Sequence, residues 1–107
     1  MKVVLIRPNQ IPEIGELNGI DEMWDYVGGS IETVPYGTNM RIVCNDEFLL
    51  HDFPLNCIIG GTAYYGNIFI CGVGVNDDGE WDLISLTDEQ LNSLSFIPVI
   101  ADNLSLD

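Results

Sequence analysis

A chain of 107 residues with 17 Asp and Glu against 3 Lys and Arg, and with 47% hydrophobic residues, has the length and apolar content for one folded domain spanning 1–107. Those properties exclude a disordered chain. The formal net charge of -14 argues against direct contact with nucleic acid or an anionic membrane and directs attention to cationic partners.

Lys2 to Arg7 is a β-branched and aliphatic run stopped by Pro8, which predicts a central strand buried on both faces. It is too short for the apolar core of a secretory signal, no run reaches the roughly eighteen apolar residues of a membrane helix, and the expected location is the cytoplasm. Asn9 to Asn18, with Pro12, Gly15 and no clean period, predicts a loop. Ile20, Met23, Trp24 and Val27 then recur at helical spacing, with Asp21 and Glu22 in the first turn and Gly28 past the end. This predicts a short amphipathic helix whose Trp24 stripe faces the core and whose other face shows Asp21, Glu22, Asp25 and Tyr26.

Ser30–Val34 and Met40–Cys44 flank Pro35-Tyr36-Gly37-Thr38-Asn39 and predict a hairpin. Met40, Ile42 and Cys44 share one of its faces; Arg41, on the other with Val43, is expected to be exposed or paired with Glu32 across the hairpin. Asn45–Asp52 predicts a turn and a short apolar patch, while Phe53–Gly61 fits neither strand nor helix firmly. Thr62–Val75 predicts one or two strands turning at Gly66-Asn67, and its interior glycines imply bulges or close backbone approach. Asn76-Asp77-Asp78-Gly79 is a turn signal, and Glu80–Leu86 predicts a final strand. Thr87-Asp88-Glu89-Gln90 is a capping box opening a helix to about Leu94, with the segment from Pro98 onward loosely held. The fold class expected is α+β: a small antiparallel sheet with one or two short helices packed on one face.

No residue set defines a chemistry. Cys44, Cys57 and Cys71 lie thirteen and fourteen residues apart among apolar neighbours, a core pattern with neither metal-ligand spacing nor an even disulfide count. His51 stands alone beside Asp52 with no nucleophile motif near it. Asp77, Asp78, Glu80 and Asp82 crowd Gly79, but a calcium loop with its glycine there would have to begin at Gly74, which has no ligand side chain. They read as a solvated turn, with weak metal binding or contact with a basic partner as alternatives. Gly28-Gly29, Gly60-Gly61 and Gly72-x-Gly74 match no phosphate-binding fingerprint. Arg7 and Arg41 are the only arginines, and each either neutralises a carboxylate or serves a ligand. Neither catalysis, a cofactor nor a metal is expected.

Val27-Gly28-Gly29-Ser30-Ile31-Glu32-Thr33-Val34, then Ile42-Val43-Cys44-Asn45-Asp46-Glu47 and Pro54-Leu55-Asn56, resemble the domain of unknown function family 3846, small proteins of phages, plasmids and integrative elements of gut bacteria. The similarity covers roughly Ile20 to Val75, with Leu86-Thr87-Asp88-Glu89-Gln90 also alike, and it carries over no catalytic residue. What it implies is genomic company. Proteins of that setting and size commonly counter restriction, CRISPR nucleases or immune signalling, an association and not a physical derivation.

The first reading is thus an anti-defence inhibitor that presents a nucleic-acid-like surface to a basic site on a host nuclease or restriction/CRISPR complex. Its partner-binding residues would be Asp21, Glu22 and Asp25 on the helix with Asp77, Asp78, Glu80 and Asp82 at the turn. B-form DNA carries one charge per ~1.7 Å of axis, so fourteen charges match roughly 24 Å of duplex if much of the charge shares a face. The second reading is a homo-oligomeric sponge for a nucleotide-derived immune signal, with Arg7 and Arg41 on phosphates and Tyr36, Tyr64, Tyr65 or Trp24 stacking a base. The third is a protein-interaction module without a defence role.

Overall fold

The structure is a computed structural model and describes residues 1–94. The loose segment expected from Pro98 onward lies outside those residues. Eight strands and two short helices follow one another as β1 (Lys2–Ile6), β2 (Glu13–Glu16), α1 (Ile20–Val27), β3 (Ile31–Pro35), β4 (Met40–Asn45), β5 (Leu55–Ile59), β6 (Thr62–Tyr65), β7 (Ile68–Val75), β8 (Trp81–Ile84) and α2 (Asp88–Ser93). The main sheet runs β2-β1-β7-β4-β3, with β8 also on β7, and β5-β6 form a separate two-stranded sheet. All pairings are antiparallel.

The sheet is built on β7. Its first half pairs β1, with Val4 opposite Ile70, and its second half pairs β8, with Val73 opposite Leu83. β1 and β8 therefore lie end to end along one edge of β7, joined where the Leu86 N–H donates to the Lys2 carbonyl at 2.9 Å and the Lys2 N–H to the Ser85 hydroxyl at 2.9 Å. β4 holds the other edge. This arrangement leaves β1, β4 and β7 apolar on both faces, as the run Lys2–Arg7 predicts.

Each face has its own core. On the first face Val4, Ile6, Met40, Ile42, Cys44, Ile68 and Ile70 are covered by Cys57 and Tyr64 of the β5–β6 hairpin and by Leu94, with Leu91 of α2 packed alongside. On the second, Val3, Leu5, Val43, Phe69 and Cys71 meet Leu17 and Val27, with Met23 and Tyr26 of α1 alongside. The molecule is a sheet-rich, antiparallel domain, richer in strand than the expected α+β arrangement. Its helices lie on opposite faces instead of sharing one, because a sheet whose central strands are apolar on both sides needs two covers.

Two further expectations are corrected, and one segment that the sequence leaves open is placed. Asn9–Asn18 is not all loop: β2 pairs β1 with Val3 opposite Gly15, and a Cβ on Gly15 would lie 2.5 Å from Leu5 Cδ1. As an edge strand with polar exposure it shows no apolar period to read. The helix α1 exists, but its buried side is Met23, Tyr26 and Val27, while Ile20 and Trp24 are 48% and 45% exposed. The Tyr26 hydroxyl donates to the Ile68 carbonyl at 2.9 Å and its ring meets Phe69 edge-on at 5.9 Å, which turns Ile20 and Trp24 out of the core while Met23 and Val27 of the same stripe stay against it. Finally, Phe53–Gly61 contains β5, closed onto β6 by Gly60 and Gly61, at φ 59° and 83°. Two successive positive φ values suit a tight hairpin turn.

The remaining elements follow the sequence. Gly28 ends α1 at φ 84°, and the N–H groups of Gly28 and Gly29 both donate to the Trp24 carbonyl, at 2.8 and 2.9 Å. At α2 the Gln90 N–H donates to the Thr87 hydroxyl at 3.1 Å and the Thr87 N–H to Gln90 Oε1 at 2.9 Å, the expected capping box.

Candidate functional site: an acidic surface beside an apolar groove

Every Asp and Glu among the described residues is exposed. The one ion pair among those residues joins Arg7 to Glu13 at 2.6 Å, so the other carboxylates stand uncompensated. They lie on both flanking strands (Glu13 and Glu16 on β2, Glu32 on β3) and on both helices (Asp21, Glu22 and Asp25 on α1, Asp88 and Glu89 on α2). The acid is thus distributed over the molecule and is not confined to one face.

Within that surface the predicted partner-binding residues fall into two groups. Asp21, Glu22 and Asp25 belong to α1 on the second face, where Glu22 Oε1 accepts the Asn18 N–H at 3.0 Å. Asp77, Asp78 and Glu80 form the tip of the β7–β8 ribbon. Asn76 organises that tip: its Oδ1 accepts the N–H groups of Asp78 at 2.9 Å and Glu80 at 3.0 Å. The carboxylates stay turned to solvent, and among the described residues no three His, Cys, Asp or Glu side chains are grouped to share a metal ion.

Asp82 lines a groove of about 730 Å³ between the start of α1 and β8, with Ile20 and Met23 on one side, Trp81 and Leu83 on the other, and Arg41 and Val73 between them. The groove exists because two turns of helix cover only the β1 end of the second face. Trp81 is 70% exposed and, opposite it on β7, Val75 is 58% exposed. Sequence reasoning missed this site. Its one signal was Trp81, a large aromatic side chain set between Glu80 and Asp82.

Arg41 does not pair with Glu32. In the hairpin register Arg41 faces Pro35 while Glu32 faces Cys44, so the two side chains project to opposite faces of the sheet.

The residues suggested for nucleotide capture are not brought together within one chain. Tyr64 is 2% exposed in the first-face core. Tyr65 stacks on Phe48 at 6.0 Å, and Tyr36 packs beside α2 in a separate cavity. Arg7, besides its ion pair, lies 5.4 Å above the Tyr26 ring. Burial pushes the Tyr26 hydroxyl up to about 12 despite the pull of Arg7. The three cysteines are buried and free; burial raises Cys44 and Cys57 to about 11 and Cys71 to about 12. Such thiols are poor nucleophiles at neutral pH. His51 is exposed and stacks on Phe53 at 4.8 Å.

The segments that carried the family resemblance meet in space. Asn45, 2% exposed, donates from Nδ2 to the Val27 carbonyl at 3.3 Å and accepts the Glu47 N–H at 2.7 Å. A Cβ on Gly29 would sit 2.9 Å from that Nδ2, and one on Gly66 2.9 Å from Phe53 Cδ2. Asn56 donates to the carbonyls of Ile6 at 2.8 Å and Gly66 at 2.7 Å. Residues 1–96 match the family described as Domain of unknown function (DUF3846). The chain belongs to that family. No curated protein and no solved structure matches it. The Val-Gly-Gly and Asn-Asp-Glu segments of this DUF3846 member fasten the end of α1 to the end of β4.

Proposed function

We propose that this DUF3846 protein acts by stoichiometric binding, as an anti-defence inhibitor whose acidic surface occupies a basic, nucleic-acid-binding site on a host nuclease or restriction/CRISPR complex. The observation that carries the reading is the exposure of every described carboxylate against a single ion pair. Such a surface attracts a cationic groove at long range and repels duplexes. The choice of a defence target rests on the mobile-element setting implied by the family resemblance. With acid on both faces and both flanking strands, the contact would be an enveloping one, in which the protein sits inside a cationic channel instead of docking through one flat patch. Asp21, Glu22 and Asp25 share α1 with the exposed Ile20 and Trp24, and Asp82 follows the exposed Trp81 on β8, so these four form the part of the surface where charge adjoins exposed apolar side chains. Such a mixed patch suits binding better than charge alone.

The test is capture of basic nucleases from host lysate on the immobilised protein, repeated with the four residues changed to Lys. Capture should fall steeply between 0.1 and 0.5 M salt, following screening lengths of about 10 Å at 0.1 M and 3 Å at 1 M, and should vanish in the quadruple variant while its circular dichroism is unchanged. Salt-insensitive capture, or full capture by the variant, refutes the proposal.

A further inference from the structure

The second-face groove holds a cation that has no ion-pair partner among the described residues. Arg41 is half-buried in β4, opposite Cys71 of β7, on the floor of the groove. The ion pair among the described residues is Arg7 with Glu13. Asp82 borders the groove, but its Oδ1 accepts the Leu83 N–H at 2.8 Å and it stays beyond ion-pair distance from Arg41. In a chain of net charge -14, a guanidinium that shares its groove with Thr33, Val73 and Met23 and pairs with no carboxylate among the described residues is placed for something other than neutralisation.

The surroundings define the ligand. A guanidinium offers a planar fork of donors that fits a carboxylate, sulfonate or phosphate. Trp81, Ile20 and Val73 offer apolar surface for a flat body, and about 730 Å³ lies within the ~300–1,000 Å³ range of small-molecule sites. The negative field of the molecule opposes each added negative charge, while one guanidinium balances one. We propose that the groove binds a small ligand carrying a single anionic group on an aromatic or apolar body, the anion on Arg41 and the body against Trp81 and Ile20. This goes beyond the docking of a basic partner, because it uses Arg41 and not the carboxylates.

The probe is 8-anilinonaphthalene-1-sulfonate, one sulfonate on an aromatic body, followed by its fluorescence and by energy transfer from tryptophan. Wild type should show one saturable site per chain. Arg41→Gln should weaken it by about tenfold or more, and so should Thr33→Glu, which places an internal carboxylate beside Arg41. The uncharged N-phenyl-1-naphthylamine should bind wild type and Arg41→Gln alike, and N-acetyltryptophan should displace the probe at lower concentration than ATP. Thermal melts establish that both variants are folded. Unchanged sulfonate affinity in folded Arg41→Gln, stronger displacement by ATP, or amide shifts centred away from Val73, Leu83 and Ile20 overturns the assignment.

Discussion

Replacing Asn45 with Ala tests whether one buried amide holds α1 to the sheet. Asn45 makes two hydrogen bonds to main chain, and its loss affects their partners unequally. Glu47 is exposed, so its N–H recovers a bond from water and the change there costs about 1 kcal/mol. Val27 is 2% exposed and its carbonyl would stay buried without Nδ2, which costs about 1–3 kcal/mol. The sum, about 2–4 kcal/mol, is a large part of the ~5–15 kcal/mol that stabilises a small domain, and at ~4–8 °C per kcal/mol it lowers the melting temperature by at least about 8 °C. Urea unfolding followed by far-ultraviolet circular dichroism measures it. Asn45→Asp sharpens the test, since it keeps the acceptor for Glu47 but turns an oxygen toward the Val27 carbonyl. Burial holds the new carboxyl above its unfolded value of about 3.9, so the unfolded state ionises first. Relative to wild type, Asn45→Asp should therefore be most stable below about pH 4 and lose stability as pH rises. A loss under about 1 kcal/mol in Asn45→Ala, or an Asp variant indifferent to pH, would refute the reasoning.

Two further outcomes follow from the charge and the thiols. Because the exposed carboxylates repel one another with almost no compensation, raising sodium chloride from 0.01 to 0.5 M should raise the melting temperature, as the Debye length shrinks from about 30 Å to a few ångströms; a flat or falling response contradicts the uncompensated surface. The folded thiols stay protonated to about 11 for Cys44 and Cys57 and about 12 for Cys71, whereas unfolded thiols ionise near ~8.5. Stability is thus retained below that pH and lost progressively as pH rises toward 11–12, and Ellman's reagent at pH 8 should find three reactive thiols only after denaturant is added. Rapid labelling of the native protein counts against it.

Much of the fold was legible in the sequence because backbone signals do not depend on distant partners. The αL stop at Gly28, the Thr87 capping box and the turn at Asn76–Gly79 are local, and each stands where the sequence places it. What escaped is set by contacts remote in the chain. The orientation of α1 is decided by Tyr26 reaching the Ile68 carbonyl, 42 residues on, and in a two-turn helix that contact outweighs the apolar stripe. β2 carries one large apolar residue, Ile14, itself 63% exposed, so its pairing with β1 leaves no periodic trace. The acidic residues of the candidate site were evident as a composition, but their distribution over both faces depends on topology. Of the two readings for Arg41, exposed or paired with Glu32, the pairing is undone by a register that sets Arg41 against Pro35 and Glu32 against Cys44.

The central position of β7 has a consequence for synthesis. It is the seventh of the eight strands among the described residues to leave the ribosome, yet β8 pairs with it alone and β1 and β4 each pair one edge with it. Until residue 75 is made, the nascent chain can close only the separate hairpins β1–β2, β3–β4 and β5–β6, which are marginal in water by themselves. At ~5–20 residues per second that wait lasts several seconds, with Val3, Val4, Val43 and the other core faces open to water. The dense negative charge already present on the emerging hairpins would then serve a second purpose, keeping half-made copies apart until the strand that unites them arrives.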